Sequence, residues 1–143
     1  MSAAADLEGG LRAYLLGVAA LQPLVDGWIF GGELPADRTA QMPRKALVIR
    51  KSGGVSTTSG SFVETDTARV DLFALGETPH EAGRVMAEAE LAMRRLRRGV
   101  HGGCLMHWAN SAGGAIAGRE PGTEWPRQFQ SFQVMHGLTA IEE

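Results

Sequence analysis

Apolar residues recur along this chain with two periods, and each change of period marks an element. Leu7, Leu11, Leu15 and Val18 stand four, four and three residues apart, with Tyr14 three beyond Leu11, which sets them on one helical stripe over residues 6–18. Asp6 and Glu8 open this helix, where carboxylates favour the positive end of the dipole, and Gly17 followed by Pro23 closes it. Trp28, Ile29 and Phe30 form an apolar patch ended by Gly31 and Gly32, which predicts a short strand, and a proline-punctuated loop runs from Glu33 to Lys45. Ala46 to Lys51 is an apolar, β-branched run suited to a buried strand. Ser52 to Gly60 offers small polar residues that cannot anchor a core, which predicts a long mobile hairpin loop.

From Ser61 the pattern alternates. Phe62, Ala68, Val70 and Leu72 share one parity, and Thr65, Thr67, Arg69 and Asp71 share the other, so one face is buried and the other wet or paired. Thr78, Pro79 and Glu81 then supply an N-cap, a first-turn proline and the acid of a capping box. Ala82, Val85, Met86, Ala89, Ala92, Met93 and Leu96 follow at helical spacing, glutamates precede arginines in the order the dipole favours, and Gly99 is the expected stop. Cys104 to Ala109 reads as a strand, Ser111 to Pro126 as a Gly/Pro-rich loop, and Gln128 to His136 as a final alternating strand. The order is α, short β, β, β, α, β, β, without internal repeats or βαβ alternation. It predicts an α+β fold, an antiparallel or mixed β-sheet with two main helices on one face and a long hairpin loop.

With 143 residues, the chain reads as a single domain, 1–143, able to bury about 68–70% of its unfolded surface. Nineteen glycines point to much flexible backbone, and a net charge of −2 supplies no global attraction to nucleic acid or an anionic membrane. The single Cys104 excludes an intrachain disulfide. The apolar run Tyr14 to Leu24 is broken by Gly17 and Pro23 and follows acidic residues, so neither a signal peptide nor a membrane span is read.

Candidate chemistry is sparse. His101, Cys104 and His107 form an H-x2-C-x2-H string, but on one strand Cys104 would point away from both histidines, and three ligands would not converge. Arg94, Arg95, Arg97 and Arg98 could meet phosphates, yet cations also belong at a helix C-terminus and no aromatic alternates with them. The Gly-rich pieces at Ser52 and Ala112 lack the G-K-[ST] of a phosphate loop. Asp66, Asp71, Glu64 and Arg69 suit cross-strand pairing or solvation better than acid–base work. No cofactor site emerges, and the expected protein is not an enzyme. Trp125, in a Gly/Pro-rich loop, serves either as a contact anchor or as a cap on the core.

Several strings together resemble the tail-terminator (tail-completion) proteins of long-tailed bacteriophages and gene transfer agents. They are the Asp6 to Ala13 helix start, Leu21-x-x-Leu24-Val25, Trp28 to Gly32, the Pro43-led strand ending in Ala46 to Ile49, and Ala68 to Ala74 running into Thr78 to Ala82. Arg44 and Lys45 depart from that pattern by standing between the proline and the apolar strand. The resemblance implies a virion structural protein without cofactor or turnover. It implies a homo-hexameric ring on the head-proximal end of the tail, assembled in the bacterial host cytoplasm. Its partners would be itself, the tail tube protein and head or neck connector proteins, with DNA only passing through the lumen and no membrane. Contact residues expected on this basis are Ser52, Gly53, Gly54, Val55, Ser56, Thr57, Thr58, Ser59, Gly60, Ser61 and Phe62, with Trp125 and Arg127 as a further interface. A neck connector, stopper or minor tail protein is the nearest alternative. A small metal-dependent enzyme around His101, Cys104 and His107 is the distant one.

Overall fold

A computed structural model describes residues 3–55 and 65–141, with only the backbone at position 55. Its elements are helices α1 (Leu7–Leu16), α2 (Gln22–Val25) and α3 (Pro79–Arg94), and strands β1 (Ile29–Gly31), β2 (Ala46–Val55), β3 (Thr65–Leu75), β4 (Gly99–His101), β5 (Cys104–Ser111), β6 (Ile116–Arg119) and β7 (Pro126–Gly137). The strands make one seven-stranded mixed sheet in the order β1-β2-β3-β7-β5-β4, with β6 beside β7 as a continuation of the β5 row. Only β1 and β2 run parallel. The fold is α+β, with the sheet curled into a half-barrel.

Both main helices lie on one face. Helix α1 touches β1, β2 and β4, the two ends of the sheet, so the curled sheet wraps it. Gly10 permits the approach, because a methyl there would stand 2.7 Å from His101 O and 2.9 Å from Cys104 Cβ. Helix α3 packs on β7, β3 and β5, and Tyr14 Oη donates a 2.6 Å hydrogen bond to Ala92 O, tying the helices together. Between helices and sheet lies the core, with Leu11, Leu15, Ile49, Val70, Leu72, Val85, Met93, Met106, Phe132 and Val134 at 0% exposure.

Both expected N-caps form, and the acid of the capping box reaches one residue farther back, to Glu77 N instead of Thr78 N. Gly9 N donates to Asp6 Oδ1, Glu81 N donates to Thr78 Oγ1, and Glu81 Oε1 accepts from Glu77 N. The strand parities also hold, with Ala68, Val70 and Leu72 buried and Arg69 exposed.

Five expectations are corrected. Ser52 to Val55 is not loop but the end of β2, paired with Thr67 to Arg69 through a bulge after Lys51; the pairing continues because the backbone ladder does not need apolar side chains. Helix α3 ends at Arg94 with Arg95 as its cap, and Gly99 opens β4 instead of stopping the helix. Residues 111–126 contain a strand, β6, where a loop was expected. The 33–45 segment holds a 3-10 helix, Ala36–Gln41. Finally, the chain reverses at Gly102 and Gly103, so His101 and Cys104 are partners across a hairpin instead of neighbours along one strand. The expected contact residues Ser56, Thr57, Thr58, Ser59, Gly60, Ser61 and Phe62 lie outside the described residues.

Candidate assembly face

The face of the sheet away from the helices carries an apolar row built by register. Phe30 pairs with Val48, Val48 with Phe73, Phe73 with Phe129, and Phe129 with Ile116, so five apolar side chains run across β1, β2, β3, β7 and β6. Paired residues share a face, which places all five on the side opposite Phe132 and Val134. Exposure is least at Val48, which is buried; Phe30, Phe73 and Phe129 are half-buried, and Ile116 at the far end is 63% exposed.

Two arginines lie on this row. The guanidinium carbons of Arg50 and Arg127 stand 5.2 and 5.1 Å from the Phe73 ring centroid, and Phe73 itself lies 5.3 Å from Phe129. Arg127 also reaches Glu120 Oε2 at 3.0 Å, and Arg50 donates to Gly32 O at 3.0 Å. Beside them Trp125 closes a turn, its carbonyl accepting from Glu120 N at 2.8 Å, and packs against the core.

Between this turn and the 33–45 segment is a half-open cavity of about 270 Å³, floored by Val48, Phe73, Leu75 and Trp125 and rimmed by Glu33, Glu120, Arg50 and Arg127. Its lining also holds Thr39 and Thr123. The arrangement is suited to receive an apolar side chain and hydrogen-bond what accompanies it.

Farther along the same face, Ser131 Oγ donates to Asp71 Oδ1 at 2.6 Å and accepts from Arg69 Nη2 at 3.1 Å. The acidic and basic residues of β3 are thus joined through a serine of β7, while the register partner of Asp71, Arg50, turns to Phe73 instead.

Trp125 and Arg127 are brought together on this face, and Trp125 both lines the cavity and caps the core. Ser52, Gly53 and Gly54 are exposed at the other end of β3, at the register of Arg69 and Ala68, whereas Arg127 pairs with Leu75. The two expected contact regions are separate. Sequence reasoning missed Phe73, Phe129, Arg50 and Ile116. A signal existed for the first two, since each is an aromatic standing on the polar parity of its strand.

The histidine–cysteine string forms no centre. Cys104 is buried, its thiol pushed up to about 11 by burial and then by Asp6. His101 stacks edge-on to Tyr14 at 4.9 Å, and His107 sits at the β5 bulge. Among the described residues no three of His, Cys, Asp and Glu gather as metal ligands. His136 is buried on the helix-covered side, where desolvation holds its pKa below the ordinary value, and its Nδ1 lies 2.8 Å from Gly137 O. Arg44 donates to Val25 O at 2.7 Å and covers the Trp28 ring at 4.3 Å, so it braces the start of the β1–β2 layer. Among the described residues no helix is long and apolar enough to cross a membrane.

No protein-family profile matches the sequence, and no curated protein matches it. A solved structure does: a chain in the virion of a native gene transfer agent particle superposes with a TM-score of 0.69, covering 92% of this chain and 94% of that one at 13% identity. At such identity the likeness is one of fold, and it spans nearly the whole of both chains.

Proposed function

We propose that this chain is a virion structural protein, and within that class a tail terminator. In this reading, copies form a ring, of six subunits, on the head-proximal end of the tail tube, stop its polymerisation and join it to the head or neck. The observation that supports it is the fold shared end to end with a chain of a gene transfer agent virion. The resemblance of the residue strings before Arg98 to tail terminators supports the finer assignment.

The physical features agree with an assembly role. One sheet face is sealed by helices, and the other carries an aromatic row, two ring-stacked arginines and a cavity of about 270 Å³, wide enough for one large side chain. Such a face provides anchor contacts for a neighbouring protein. The reading assigns no catalysis, no cofactor and no membrane; DNA passes the ring without being acted upon.

Cryo-electron microscopy of particles carrying the protein tests this. A single ring of its density between tube and neck is the expected result. Density in the neck proper or along the tail would replace the terminator by a connector, stopper or minor tail protein, and absence from the particle would overturn the structural reading altogether.

A further inference from the structure

On a chain whose net charge is −2, four of the five residues 94–98 are arginine, at the end of α3 and in the turn after it. Arg94, Arg95, Arg97 and Arg98 are all exposed. Attraction to the helix dipole accounts for Arg94, in the last turn, and for Arg95, the cap, but Arg97 and Arg98 stand beyond the helix. The terminal carbonyls are also met without these side chains. Ala92 O accepts from Tyr14 Oη at 2.6 Å, and Leu91 O and Ala92 O accept from Arg95 N at 3.1 and 3.2 Å. Glu90 neutralises Arg94 at 2.7 Å; among the described residues Arg95, Arg97 and Arg98 form no ion pair.

The three unpaired guanidiniums gather where α1, α3 and the β4–β5 hairpin meet. The Tyr14 phenol, its pKa pushed up by burial, is drawn back by Arg97 and Arg95, so both lie near one ring, and that ring stacks on His101 of β4. Arg98 Nε donates to His107 Nδ1 of β5 at 3.4 Å. No large apolar side chain centres the patch; Leu91, 40% exposed, lies one turn earlier on α3. A protein interface is built on apolar anchors within a polar rim, and the aromatic anchors of this chain lie on the other face of the sheet. Nor does the opposite end of α3 offer a second copy an acidic counterpart, because Glu77 and Glu81 share a shallow hollow with Arg44 and Lys45.

We propose that Arg95, Arg97 and Arg98 bind the phosphodiester backbone of duplex DNA without reading its sequence. A guanidinium presents a planar fork of donors that fits phosphate oxygens in pairs, and it stays charged at any working pH. Because the three have no carboxylate to give up, binding forfeits no internal ion pair, and counterions released from the DNA supply the gain. The proposal deepens the virion reading and rests on it. In a ring around the DNA path, the patch repeats on every copy and holds the duplex by many weak contacts, none of which fixes a register because none touches a base.

The test titrates labelled duplex DNA of mixed sequence with the purified full chain at low salt, read by fluorescence anisotropy. The expected result is binding whose logarithmic salt slope is about −2 to −3 per bound copy, since each phosphate contributes about −0.9. The triple variant Arg95→Gln, Arg97→Gln, Arg98→Gln should bind about tenfold more weakly or worse, with a slope near zero. Arg38→Gln, Arg84→Gln, Arg119→Gln removes the same charge from exposed positions elsewhere and should leave the slope unchanged. Arg95→Lys, Arg97→Lys, Arg98→Lys keeps the charge and should keep the slope. Equal losses in the two glutamine variants, or no binding by the wild type, overturn the proposal. Displacement of the DNA by polyglutamate at equal charge concentration overturns it as well and points to an acidic protein face. Cryo-electron microscopy of the particles separates this result from the ring: a ring without DNA binding removes the contact and keeps the ring, and DNA binding with no ring keeps the contact and removes the ring.

Discussion

The two faces of this sheet share every backbone hydrogen bond yet differ in what lies above them. On one, Val70, Leu72, Phe132 and Val134 sit under α1 and α3 at 0% exposure. On the other, the same strands present half-buried Phe73 and Phe129, beside the exposed Ile116 of β6, with arginines laid over the Phe73 ring. The period of a strand forces this division: each residue facing the helices has neighbours facing away. A face closed by its own chain supports the fold, and a face only partly closed by loops leaves binding free energy for a partner. Apolar residues on the second face are thus where contacts with a partner are sought.

Truncation should separate the faces most strongly. Phe132→Ala, in the sealed layer, is expected to cost about 3–5 kcal/mol, read as a shift in the denaturation midpoint, because the cavity cannot collapse between sheet and helix. Phe73→Ala, half-buried on the open face, should cost about 1–2 kcal/mol while also releasing Arg50 and Arg127. Equal losses for the two variants would break the comparison. A helix end tests the layer that creates the sealed face: Thr78→Ala removes the acceptor of Glu81 N and should cost about 1 kcal/mol in the same measurement. Arg94→Ala breaks the Glu90 pair, whose arginine is 60% exposed, and should cost no more than about 0.5 kcal/mol.

The last effect is absent at neutral pH and appears only on acidification. Burial lowers the folded-state pKa of His136, so the unfolded chain binds the proton more readily. Its contribution to stability is complete above the ordinary histidine value, near about 6.5, and is lost as pH falls from there through the depressed folded value. Denaturation midpoints measured from neutral to mildly acidic pH should fall for the wild type and fall less for His136→Asn. An equal decline in both would mean that the sealed face excludes water less well than its geometry implies.

Much of this organisation was legible in the residues. The stripe Leu7, Leu11, Leu15 fixed α1, the Thr78-Pro79-Glu81 start fixed α3, and the alternation through Ala68, Val70 and Leu72 fixed which parity of β3 is dry. These are local signals, each set by the period of an element or the chemistry of a cap. Harder to read were β4 and β6, short strands of Gly-Val-His and Ile-Ala-Gly-Arg whose residues have no strong preference and which exist because β5 and β7 lie alongside. The end of β2 reads as loop on the same grounds, its Ser-Gly-Gly composition hiding a backbone ladder. His101 and Cys104 could be placed correctly only by knowing that the chain turns between them.

By itself, then, the sequence determined the elements with strong periodicity, their caps, the dry parity of β3, and Trp125 and Arg127 as residues of interest. Tertiary structure alone decided that Phe30, Val48, Phe73, Phe129 and Ile116 form one row and that Arg50 and Arg127 meet over the same ring. The reason is physical. Period and capping are properties of consecutive residues, whereas a row across five strands is a property of register, which pairing between segments far apart in the chain sets and no local pattern contains.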